Sequence, residues 1–342
     1  MSQEDDAAPD DVAGLPVEDA VDAVVARDDG NDRDRGEVRA ALETVAEDGV
    51  VAWGGVDAAL AHVSKVVATP ETRVELAARG LSDAREAASP VADLDAVDSR
   101  LTAFEARLAA VESRTADLGA DLQALVARPG EGDPDADLYA TARGIRQLTA
   151  DANEAHRAAD ELGVDVEEFE EWLADPDVRY EEFEGDVDAV ERSVDELAAA
   201  VDRLAADLAE GDDGDGEGAG DEEGNTPADA AATWFDLTLR SRVIGLLLAD
   251  VRAELADLRT WADREDLDHG ERLDAFDARL ADLDDRVVAA GDRLDDLARP
   301  DWRARFDDRL DAFGSALDGL EPPVDWGEVQ ATLEEHRGVP SQ

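Results

Sequence analysis

Between Leu94 and Leu125 apolar residues recur three and four apart: Leu94, Val97, Leu101, Phe104, Leu108, Val111, Leu118, Leu122 and Leu125, with Thr115 keeping the register. That spacing puts one stripe on an α-helix, and its persistence over several heptads makes a left-handed seam which another helix has to cover. Two more seams follow. One runs through Phe183, Val187, Val190, Val194, Leu197, Val201, Leu204 and Leu208, the other through Leu273, Phe276, Leu280, Leu283, Val287, Ala290, Leu294 and Leu297. With Val at a and Leu at d, the middle seam taken alone favours a parallel two-stranded coil. The candidate seam core is Leu101, Phe104, Leu108, Val187, Val194, Leu197, Leu273, Phe276 and Leu280.

The first and last seams share a motif. RLTAFEARLAAVESR (100–114) and RLDAFDARLADLDDR (272–286) agree at nine of fifteen positions, and RLDAFGSALDGL (309–320) is a shortened echo. In both full copies Leu, Phe and Leu fall at a, d and a. Arginine falls at g (100, 107, 114; 272, 279, 286) and acids at e (105, 112; 277, 284). In a parallel homodimer Arg107 would face Glu112, and Arg279 would face Asp284, across the two chains. Exposed pairs of this kind contribute about 0.2–1 kcal/mol each, and less in salt. Apolar packing must therefore hold the seams. Pro and Gly break each seam after about 30 residues, and alanines flank them, which favours helices folding back on one another over long intermolecular coils. The fold class expected is all-α: a small N-terminal helical domain followed by coiled-coil helices or an antiparallel helical bundle.

The remaining pattern divides the chain. Residues 1–14 read as a disordered acidic tail. Residues 15–79 read as a small helical domain with helices over 18–26, 37–46 and 56–67 and a fourth opened by Thr69 and Pro70, and DGVVAW offers a short extended segment between them. Ser89 and Pro90 suit the start of the helix over 89–128. Residues 137–210 form a helical segment with a coiled coil, interrupted before Asp165 and Glu168, whose spacing is that of a capping box. GDDGDGEGAGDEEGN (211–225) reads as a disordered linker. Long helices over 226–299 and short ones over 300–342 complete the chain, and the wide apolar face around Phe235–Leu258 predicts packing against more than one neighbour.

The chain carries 89 acids against 32 basic residues, a net charge of -57, and Lys65 is its one lysine. Such self-repulsion is tolerable where molar salt shortens the Debye length to about 3 Å, and the composition resembles that of extreme halophiles, so high intracellular salt is expected. The acidity points away from nucleic acid as a partner. VIGLLLA (243–249) falls far short of the roughly 20 residues that span a bilayer, and MSQEDDAAPDD is unlike a signal peptide. The expectation is a cytoplasmic protein without membrane insertion.

No catalytic, cofactor or metal site is legible. There is no cysteine, and His62, His156, His269 and His336 have no second histidine at ligand spacing. DDGDGEG lacks the closing Glu of a calcium loop, and the phosphate-cradling and nucleophile-elbow glycine motifs are missing. Trp53, Trp234 and Phe235 are the candidate interaction or packing anchors. Trp234 and Phe235 follow the linker and open the most apolar helix.

EDGVVAWGGVDAALAHVSKVVATPETRVELA (47–77), with the coils after it, resembles haloarchaeal proteins labelled "halo transducer protein", which implies a role in signalling. The residues themselves point to a non-catalytic helical scaffold or protein–protein interaction protein, self-associating or with a protein partner. The alternative is a regulatory or DNA-associated module that uses residues 15–79 for recognition and the coils as dimerising arms.

Overall fold

Ten α-helices and one minimal hairpin make up the computed structural model, which describes residues 12–26, 34–133, 136–212, 227–268 and 270–337. The elements are α1 (Val17–Ala26), α2 (Arg35–Glu43), β1 (Ala46–Glu47), β2 (Val50–Val51), α3 (Trp53–Ala88), α4 (Asp95–Val126), α5 (Leu138–Ala174), α6 (Pro176–Asp212), α7 (Pro227–Arg264), α8 (Gly270–Leu297), α9 (Pro300–Leu317) and α10 (Trp326–Arg337). The fold is all-α. It divides into two units, Met1–Ser89 with Arg100–Glu171 and Pro90–Ser99 with Trp172–Gln342.

The first unit is built on three long helices. Val74 of α3 clusters with Val111 of α4, while Arg85 further along α3 pairs with Glu105 earlier in α4, so the two run antiparallel. α4 meets α5 in the same sense: Phe104 lies 5.4 Å from Phe169, Arg107 pairs with Asp165 at 2.6 Å and Arg114 with Glu154 at 2.9 Å. α3 and α5 are then parallel, with Arg73 against Asp160 at 3.3 Å and Gly80 beside Val166. At one end α1, α2 and the hairpin close the core through Val21, Val24, Val38, Leu42 and Val51. Asp48 and Gly49 both take positive φ (50° and 82°), which lets a two-residue turn join Glu47 to Val50. Val51 donates to Leu15 O at 2.9 Å and accepts from Gly14 N at 2.8 Å, tying the chain start to the hairpin.

The second unit repeats this up-down-up order with α6, α7 and α8. Arg240 of α7 pairs with Glu196 of α6 at 2.5 Å, and Arg252 and Arg259 of α7 pair with Asp284 and Asp274 of α8 at 3.3 and 3.0 Å, so α7 is antiparallel to both. α6 and α8 are parallel and carry a ladder: Arg272 to Glu184, Arg279 to Asp188 and Glu191, Arg286 to Asp195, Arg293 to Asp202. Within the seam the Phe183 and Phe276 rings meet edge-on at 5.1 Å, worth about 0.5–1.5 kcal/mol beyond area burial. α9 and α10 cover the remaining face of α7. Phe306 stacks on Phe235 at 4.5 Å, and Asp250 accepts from Val324 N and Trp326 Nε1 at 3.0 Å each.

The seam residues sit as their register requires. Leu101, Val187, Val194, Leu197, Leu273, Phe276 and Leu280 are buried, while Phe104 and Leu108 are half-buried. The repeated motif follows one rule in two settings. Its g arginines reach one neighbouring helix, α5 in the first unit and α6 in the second, and its e acids reach arginines on the other, as in Glu105–Arg85 and Asp284–Arg252. In the first unit the motif lies on the middle helix, in the second on the last. Within one chain Arg107 pairs with Asp165, Arg279 with Asp188 and Asp284 with Arg252, where the register alone also offered Glu112 and Asp284 of a second copy as partners of the two arginines.

Five boundaries also differ from expectation. α3 runs through Pro70, although an interior proline costs about 3 kcal/mol. Val63, Val67, Pro70 and Val74 are buried in one stripe, and that packing outweighs the lost bond to the Val66 carbonyl. α5 continues through Gly163 to Ala174 because Leu162, Val166 and Phe169 prolong its buried face, so Asp165 and Glu168 lie inside a helix. α4 begins at Asp95; residues 89–94 make the turn from α3, and Val97 and Asp98 donate to Leu94 O. Residues 12–14 are ordered with Val12 only 1% exposed, and residues 211–212 end α6. The rest of the expected acidic tail and linker, with His269, lies outside the described residues.

Candidate functional site

Trp234 and Phe235 are packing anchors. Trp234 is 1% exposed and its Nε1 donates to Leu294 O at 2.8 Å, while Phe235 is closed over by Phe306 and the guanidinium of Arg309. Trp53 is half-buried beside a recess of about 170 Å³ lined by Leu60, Leu125 and Pro129. None of the three forms an open aromatic patch.

Classical reaction centres fare no better. His156 Nε2 faces Asp160 at 3.3 Å, and Arg73 holds the same carboxylate. His156 Nδ1 is buried without a hydrogen-bond partner, so no hydroxyl nucleophile is joined to this imidazole among the described residues. His336 Nδ1 lies 2.8 Å from the Thr332 carbonyl at the end of α10. Among the described residues no group of three His, Asp or Glu side chains is placed to hold a metal ion, and no helix is long and apolar enough to cross a membrane.

A different feature emerges in the first unit, where the parallel pair α3 and α5 leaves a groove of about 430 Å³, a volume in the range of small-molecule sites. Ala59 and His62 come from α3, Ile145, Arg146, Thr149, Ala150 and Asn153 from α5, and Thr44 from the end of α2. Ala59, Ile145 and Ala150 give it an apolar floor. The hydroxyls of Thr44 and Thr149 already donate, at 3.0 and 2.8 Å, to the carbonyls of Ala40 and Ile145 in their own helices. The donors left for a ligand are Arg146, Asn153 and the imidazole of His62. Among the described residues none of these three has a hydrogen bond or ion pair.

The charge around this groove sets it apart. The three longest acid-free stretches of the chain are 58–70, 138–150 and 237–249. The last is the centre of α7, buried among α6, α8, α9 and α10, where a carboxylate would lose its hydration. The first two belong to α3 and α5 and flank the groove, and they include exposed positions such as Ala58, Ala61, Ser64, Lys65, Ala68, Arg143, Gln147 and Ala150. Burial does not explain the lack of acids at those positions. By contrast α8 exposes Asp274, Asp277, Asp282, Asp285 and Asp292 within a few turns. The two stretches were visible in the sequence, but only the parallel pairing of α3 and α5 brings them onto one face.

No family model, curated protein or solved structure matches this chain.

Proposed function

We propose that this chain is a non-catalytic helical interaction protein whose partner docks on the acid-free face of α3 and α5. The observation that carries this reading is an exposed surface without carboxylates in a chain of net charge -57. A partner with a similarly acidic surface would be repelled elsewhere, and this face removes that repulsion. The three seams are packed inside the chain, so self-association through them would require opening a bundle. The seams serve as scaffold and the face as contact. A signalling role, as the resemblance to halo transducer proteins implies, fits a protein of this kind. The DNA-associated alternative draws little from α2, whose Arg35 and Arg39 are tied to Asp22 and Glu18 at 2.5 and 2.8 Å; within residues 15–79 it would rest on the exposed Lys65 of α3.

Photo-crosslinking tests the proposal. A benzoylphenylalanine at Ala61 or Gln147, expressed in cells, should trap the same polypeptide, and one at Asp292 of α8 should not. Arg146→Glu should reduce the adduct at both face positions. Adducts that do not differ between the face and Asp292, or that ignore Arg146→Glu, would overturn the reading. Light scattering on the purified chain in molar KCl should give the monomer mass of 36.5 kDa.

A further inference from the structure

The α3/α5 groove has a composition of its own within the acid-free face, and it narrows the class of molecule that fits. We infer that it binds a small organic anion, one carboxylate or phosphate on an apolar body, with the anionic group on Arg146. This goes beyond partner docking and stands without it. A protein partner needs a broad face; the groove of about 430 Å³ has the size of a single small ligand.

The donor inventory decides the sign of the ligand. A guanidinium offers five N–H donors and no acceptor, while the Asn153 amide and the His62 ring add both donor and acceptor capacity to the lining. The two threonine hydroxyls, which would otherwise serve a neutral ligand as donors, are spent on Ala40 O and Ile145 O. Arg146 is one of the described arginines that meet no carboxylate, and it lines the groove. Most others meet a carboxylate, as Arg107, Arg114, Arg279 and Arg293 do, whereas no acid lies within 138–150 or on 58–70 of the adjoining helix. The fork is left to pair with an external anion, for which its planar, bidentate geometry is suited.

The apolar floor decides the rest. Ala59, Ile145 and Ala150 offer carbon to the ligand body, so inorganic phosphate or chloride would gain the charge contact and nothing from the floor. In molar salt that difference is large, because screening weakens a free ion pair while leaving apolar burial intact. An occupant that combines both contacts is favoured over the bulk anion.

The probe is 1-anilinonaphthalene-8-sulfonate, an anion on an aromatic body, and its neutral counterpart is N-phenyl-1-naphthylamine, both followed by fluorescence with the full chain in molar KCl. Arg146→Ala should weaken the sulfonate about tenfold, the scale of one lost charge-assisted contact, and leave the neutral probe nearly unchanged. Thr149→Trp should fill the groove and weaken both probes. Arg157→Ala removes another exposed arginine of α5 and should change neither. Displacement of the sulfonate by decanoate, or by a nucleoside monophosphate, would identify a carboxylate or a phosphate as the natural head group. Circular dichroism confirms that each variant is folded. Equal sulfonate binding by Arg146→Ala and the parent, failure of the parent to bind it, or displacement by neither competitor would overturn the inference, whatever the crosslinking shows.

Discussion

Replacing Arg179 with methionine tests the most demanding contact in the second unit. Its side chain is 1% exposed, yet it carries a full charge. Nη1 donates to Leu173 O at 2.8 Å and to Trp172 O at 3.3 Å, Nη2 meets Glu265 Oε2 at 2.5 Å, and the guanidinium lies 3.9 Å over the Trp261 ring. α5 ends at Ala174, so the carbonyls of Trp172 and Leu173 lie in its last turn, where no helical N–H follows to satisfy them. Methionine preserves most of the volume and leaves those two buried acceptors without this donor, at about 1–3 kcal/mol each. Glu265 is 36% exposed and keeps the Trp261 Nε1 donor at 2.8 Å, so water relieves much of its loss. The Trp261 contact adds about 1 kcal/mol. These terms span about 3–7 kcal/mol, and the usual cost of breaking a buried pair, about 3–5 kcal/mol, lies in the lower part of that range and is the loss expected here. For a cooperative unit of about 150–250 residues that lowers the melting midpoint by about 6–20 °C.

Circular dichroism melts in molar KCl provide the assay, with Glu265→Gln as the companion. If capping carries the energy, Glu265→Gln costs much less than Arg179→Met, and the Arg179→Met penalty changes little with added salt. A loss below about 1 kcal/mol for Arg179→Met would refute the capping argument. Equal losses for the two variants would move the energy to the ion pair.

Gly55→Ala should destabilise the first unit by at least about 1–3 kcal/mol, because the new Cβ would lie 2.1 Å from the Val45 carbonyl, and hydrogen exchange should rise in β1 and β2; a melt within 1 °C of the parent, on the order of 0.3 kcal/mol, would refute it. Burial raises the Asp257 carboxyl above its ordinary value, opposed by the hydrogen bond from Ala96 N. The folded state then holds the proton more tightly than the unfolded one, so this group's contribution falls as pH rises from about 4 through the raised folded value. Asp257→Asn should remove that slope, and urea melts across the acid range would show an unchanged slope if the assignment is wrong. Asp93 behaves oppositely: its hydrogen bonds with Arg264 hold its carboxyl below the ordinary value, so its contribution is present at neutral pH and lost on acidification, and Asp93→Asn should flatten the acid limb. Arg279→Gln breaks one exposed rung and should cost under about 1 kcal/mol, whereas Leu280→Ala beside it should cost about 2–5 kcal/mol; comparable values would contradict a seam held by apolar packing.

The sequence by itself determined the helices, because a three-and-four apolar period has few other uses. It also placed the breaks at Pro129, Gly130 and Pro300, and the turn at Asp48–Gly49 follows from residues able to take positive φ. Its boundary errors at Pro70 and Gly163 came from local signals that a buried face overrides. Tertiary structure decided the pairing, since heptads with g arginines and e acids suit a second chain as well as a neighbouring helix. Arg279 could have met Asp284 of another copy; the return of α7 between α6 and α8 put Asp188 and Glu191 beside it first. The groove was hidden for the same reason. Arg146 and His62 are 84 residues apart in sequence, and only the parallel alignment of α3 and α5 across the bundle joins two acid-free stretches into one face.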